Sequence, residues 1–199
     1  MKKYFKEYIS QNFKVLTILF ICLIIGIVMG VAIYHILDDG VKTELINTMK
    51  STLDLTKQEN FQGINIIKNG MISNIILTLI IYLISLTLIS PYLISILSIT
   101  KGFAIGIYIP TLFQIFNFGN GILAMILLII IPNLVYIPSY VYMCTNSINF
   151  NYNLINGENK MSLVVKEIIK IVVGFSIMFL GVILEQFTSL GVISLYKKL

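Results

Sequence analysis

The sequence predicts an all-α, polytopic integral membrane protein with about five transmembrane helices, several of them kinked at proline. Two observations carry this. The chain of 199 residues is 57% apolar and 12% charged, whereas ordinary soluble domains are about 45–50% apolar and about 25% charged. The apolar residues also gather in charge-free runs of about 20, the length a helix needs to cross about 30 Å of hydrocarbon. The mean hydropathy of +0.93 agrees. This composition excludes a disordered tail and a disulfide scaffold, since the two cysteines, Cys22 and Cys144, lie far apart. One histidine and nine carboxylates leave few ways to build a metal cage or an acid/base pair, so no catalytic residue, metal or cofactor is indicated. The 14 basic residues are all lysine and flank apolar runs, which suits membrane edges and argues against nucleic-acid binding.

The elements follow in order. Residues 1–14 carry Lys2, Lys3, Lys6 and Lys14 beside Phe5, Ile9 and Phe13, the pattern of a basic interfacial helix. Span 1 covers 15–37; it lacks a cleavage site and reads as a retained signal anchor. Residues 38–70 form a polar loop holding nine of the 23 charged residues. Within it Val41, Leu45, Met49 and Leu53 recur every fourth residue, giving a helix with one apolar face that either lies on the membrane or docks a partner. Thr56 to Glu59 has capping-box spacing.

Residues 71–145 hold spans 2 to 4, with kinks expected at Pro91, Pro110, Pro132 and Pro138. Span 2 is read as Met71 to Ser90, Lys101 as the water edge, Gly102 to Phe118 as a short third span or re-entrant segment, and Ile122 to Cys144 as span 4. An Asn-rich cytoplasmic loop, 146–164, turns at Asn156-Gly157. Span 5 covers 165–188, and 189–199 form the C-terminal tail. With the N-terminus inside, eight lysines lie inside and six outside, a weak positive-inside bias that puts the 38–70 loop outside the cell.

Several residues stand out within the spans. Gly26 and Gly30, and again Gly102 and Gly106, have GxxxG spacing, which serves close packing within the chain or a homodimer. Steps of 100° place Glu167, Gly174, Gly181 and Glu185 on one face of the last helix. Glu185 is expected as an anchor near the outer interface, because an ion relay would need a second buried titratable group and no other span offers one. Pro132 and Pro138 free the carbonyls of Leu128 and Leu134 around Asn133, either as a packing kink or as the broken helix of a conduit.

Taken in order, these features resemble the stage II sporulation protein M family. The resemblance rests on the basic N-tail and glycine-containing first span, Lys101-Gly102 with Gly106, the Phe116 to Gly121 turn, Pro132-Asn133-Leu134 with Pro138, and Glu185-Gln186-Phe187-Thr188. Members of the wider family often carry a histidine and an acid in the fourth span, where this chain has Asn133, Leu134 and Val135. The resemblance implies a non-enzymatic scaffold in the engulfing mother-cell membrane and septum. It would help to localise the peptidoglycan-degrading stage II sporulation proteins P and D at the septum. The charged loop's apolar face of Val41, Leu45, Met49 and Leu53 is the expected docking surface for such a partner. A permease subunit using the Pro132 to Pro138 break is the competing expectation.

Overall fold

The computed structural model describes the backbone of residues 2–55, 63–155 and 160–196, and side chains within 6–51, 71–155, 161–189 and 191–192. Among the described residues all regular structure is helical, in the order α1 (Lys2–Ile36), α2 (Asp39–Leu55), α3 (Gly63–Ser85), α4 (Ser90–Ile115), α5 (Phe118–Met125), a π-helical stretch (Ile126–Ile130), α6 (Ile131–Ile155) and α7 (Lys160–Tyr196). Lys6–Ile36, Ser90–Ile115, Phe118–Ile155 and Met161–Ser189 are each long and apolar enough to cross a membrane, and Met71–Ser85 is a shorter apolar helix. The surface is correspondingly apolar: Ile24, Val28, Ile76, Leu79, Ile169 and Val172 all point outward. In water such a surface would be a liability, whereas against lipid tails it costs nothing.

Neighbouring contacts set the helix directions. Gly26 abuts Ile99 and Phe103, and Gly30 abuts Phe103 and Gly106, so α1 and α4 run parallel. Helix α3 lies between them in sequence and returns the chain, joined to α4 by a tight turn closed by the Thr87 and Ser90 amides. Gly174 meets Met143, Gly181 meets Tyr136 and Gly191 meets Leu127, so α7 is antiparallel to α5–α6. Thus α1, α4 and α7 point one way and α3 and α5–α6 the other. The mid-bundle core joins Leu19, Leu23, Ile81, Ile94, Tyr140 and Met178, and a second core at the α2 end joins Met49, Leu112, Phe116, Ala124, Ile129 and Val192.

Local chemistry explains where the helices depart from the sequence reading. Pro91 does not kink a span; it sits in the first turn of α4, where its missing N–H leaves no bond unmade. Helix α4 therefore runs unbroken past Lys101 to Ile115, and residues 102–115 are the upper half of this helix rather than a separate span or a re-entrant segment. The Asn-rich stretch is helical to Ile155, because Asn146, Ser147 and Asn151 are buried and bonded instead of solvated. The basic N-tail is continuous with span 1 in α1. Thr56 to Glu59 and Asn156-Gly157 lie outside the described residues.

Candidate functional site

Two helix groups make up the bundle. The most extensive contact is α1 on α4, followed by α6 on α7, with α3 packed on both α6 and α7. The α1–α4 contact is a backbone interlock. A Cβ added at Gly26 would strike the Ile99 carbonyl, at Gly30 that of Phe103, at Gly102 that of Leu23 and at Gly106 that of Ile27. All four glycines are used within one chain, so they form no open homodimer face. On α7, the Met143 and Tyr136 side chains fill the places left by Gly174 and Gly181, and the Ser139 hydroxyl donates to the Gly174 carbonyl at 2.5 Å. The buried face of α7 is thus the one carrying both glycines and Glu167.

Between the two groups runs a seam crossed by polar contacts, and this seam is the candidate site. In its middle, the Tyr136 hydroxyl donates to Glu185 Oε2 at 2.7 Å. The Lys101 ammonium lies 5.7 Å from the ring centroids of both Tyr136 and Tyr140, within the range of cation–π attraction. Glu185 acts on the same ammonium electrostatically. The Tyr140 hydroxyl shares a 3.1 Å hydrogen bond with Ser98 of α4, and Asn74 of α3 approaches Tyr136. Four helices therefore supply one cluster of an ammonium, a carboxylate and phenols. Lys101 stands 11 residues into the 26 of α4, about 16 Å along it at 1.5 Å per residue.

This geometry overturns two expectations. Lys101 is not the water edge but a charge near mid-helix, tolerated because aromatic faces and a carboxylate surround it. Glu185 packs against α6, as an anchor on another helix would, but a second titratable group, Lys101 of α4, does share its surroundings, where none was expected in any other span. Sequence spacing missed Lys101 because a single lysine between two apolar runs looks the same whether it ends a span or interrupts one. The one available signal was Ser90-Pro91, a helix start that puts Lys101 three turns inside.

The Pro132 to Pro138 region is continuous helix. The π-helical stretch Ile126–Ile130 precedes Pro132 and absorbs its register defect, and the Asn133 amide donates to the Ile129 carbonyl at 2.8 Å. Asn133 thus serves its own helix, and the conduit expectation loses the break that motivated it. Further along α6, Ser147 donates to the Ile81 carbonyl and Asn151 to those of Ser85 and Thr87, fastening α6 to the end of α3. At the same end Asn149 donates to Asn12 Oδ1 at 2.6 Å, across the seam.

At the opposite end, α2 folds back on the bundle. Met49 is 8% exposed among Leu112, Phe116 and Ala124; Leu45 is half-buried, Val41 is exposed, and the Leu53 side chain lies outside the described residues. The apolar stripe is therefore divided: its Met49 part is covered by the chain itself and its Val41 part is open. Glu44, Asn47 and Ser51 are exposed beside it. A cavity of about 650 Å³ opens under α2, lined by Tyr34, His35, Lys42, Ile109, Pro110 and Phe113. His35, one residue from the end of α1, meets the Tyr34 ring edge-on. Among the described residues no group of three or more His, Cys, Asp or Glu side chains could hold a metal ion.

A family model described as Stage II sporulation protein M matches residues 5–189. No curated protein and no solved structure matches the chain.

Proposed function

Because the chain belongs to the stage II sporulation protein M family, and so is a sporulation-related multi-pass membrane protein, we propose that it is a non-enzymatic scaffold of forespore engulfment. In this reading it sits in the septal and engulfing mother-cell membrane and holds the peptidoglycan-degrading stage II sporulation proteins P and D there. The observation that supports it most is α2. A short polar segment under about 40 residues has too little core to fold alone, yet here Met49 anchors α2 into a core built from α4, α5 and α7. The result is a fixed platform. With the N-terminus inside, that platform faces the wall, and it presents Val41, Glu44, Asn47 and Ser51.

The covered position of Met49 shifts the docking surface from the apolar stripe to the outward face of α2. Replacing Val41 with Asp and Glu44 with Lys changes only exposed side chains, so the bundle's stability should stay within about 0.5 kcal/mol of the parent. Co-purification of proteins P and D from sporulating cells should fall at least several-fold. Undiminished recovery of both partners with the double variant would remove α2 as the docking surface.

A further inference from the structure

Apart from the Lys101 cluster, one other buried acid remains without a role. Glu167 of α7 is 1% exposed, and its Oε1 has no hydrogen-bond partner. An ionised carboxylate in such a place must be paired or it becomes very costly. Among the described residues no ion pair reaches it; Lys170, almost one turn further along α7, is the cation that acts on it. Two more buried hydroxyl oxygens come from neighbouring helices, that of Tyr8 from α1 and that of Thr145 from α6, and they face each other. Tyr8 faces Thr145, Asn146, Tyr142 and Glu167 together, and its ring lies 5.6 Å from that of Tyr142. The Asn146 amide is already engaged with the Tyr142 carbonyl at 2.9 Å.

Three buried oxygens from three helices, two of them hydroxyls with lone pairs to offer and one an unpartnered carboxylate oxygen, describe a small, hard, oxygen-only ligand set. Such sets suit alkali and alkaline-earth cations and not the softer transition metals. A single carboxylate balances a single positive charge, whereas a divalent ion would leave an uncompensated buried charge.

We propose that Glu167, Tyr8 and Thr145 form a binding site for a monovalent alkali cation that ties α1 to α6 and α7. Bound there, the ion joins the glycine-locked α1–α4 pair to the other helix group, so occupancy stabilises the assembled bundle by mass action. The inference does not depend on the scaffold reading.

The test uses the purified full-length chain in detergent micelles, with thermal unfolding followed by tyrosine fluorescence in sodium, potassium or choline chloride at equal ionic strength. Sodium or potassium, but not choline, should raise the unfolding temperature by several degrees in a saturable way. Glu167→Gln, close in size, should abolish that rise, Thr145→Val should weaken it, and Glu185→Gln, at the half-buried acid of the Lys101 cluster, should keep it. Equal unfolding temperatures in all three salts, or a full response in Glu167→Gln, would overturn the site. So would a Glu185→Gln variant that has lost the response while Glu167→Gln retains it.

Discussion

Replacing Lys101 with Met and Glu185 with Gln, singly and together, tests whether the middle of the seam is one linked network. The Tyr136 hydroxyl is 2.7 Å from the carboxylate, and the same ring is 5.7 Å from the ammonium. Such a bridge sets the two charges about 8 Å apart, and an effective dielectric of about 20 then gives an attraction of about 2 kcal/mol. Each single change removes that attraction and leaves the other charge inside the bundle, while the double change has nothing left to pair. The sum of the two single losses should therefore exceed the loss in the double variant by about 2 kcal/mol, whatever the sign of each single effect. Denaturant titration in detergent micelles, followed by circular dichroism, supplies the free energies. A second cycle pairing Lys101→Met with Glu44→Gln, an exposed acid on α2, should close to additivity. If the Lys101–Glu185 cycle is also additive within about 0.5 kcal/mol, the seam is a row of separate contacts and the reasoning fails.

Two further outcomes follow from the same structure. Gly102→Ala puts a methyl group against the Leu23 backbone carbonyl, where nothing flexible can yield, and should cost more than about 2 kcal/mol. Gly119→Ala meets nothing within 4 Å and should be neutral or stabilising in the same titration. For orientation, single cysteines at Ser51, Asn120 and Tyr152 in a background lacking Cys22 and Cys144 should divide in intact cells. Ser51 and Asn120 should react with an impermeant maleimide and Tyr152 should not; the reverse pattern would place α2 inside the cell and remove the docking proposal.

Membrane character, the all-α class and the family were legible in the residues because they depend on one-dimensional properties: the length of apolar runs, their lack of charge, and the order of short motifs. The one-sided placement of Glu167, Gly174, Gly181 and Glu185 was legible for a related reason, since the helical period alone decides it. The ends of helices were harder to read. Asn146 to Ile155 looks like a loop by composition, yet Ser147 and Asn151, one turn apart, both reach the carbonyls of α3. Polar side chains that satisfy another helix's backbone are indistinguishable in sequence from those that face water.

The amino-acid sequence by itself determined that the chain is a helical membrane protein, roughly where it crosses, and which helix faces carry small residues. Only the tertiary structure decided that Gly26 and Gly30 meet Gly102 and Gly106, that Met49 is covered by the chain's own core, and that Lys101 and Glu185 share one cluster. The physical reason is the range of the forces involved. Partition into lipid is settled segment by segment, each helix satisfying its own backbone. Close packing, charge pairing and cation–π contact act over a few ångströms between residues tens of positions apart, so they exist only once the helices have assembled.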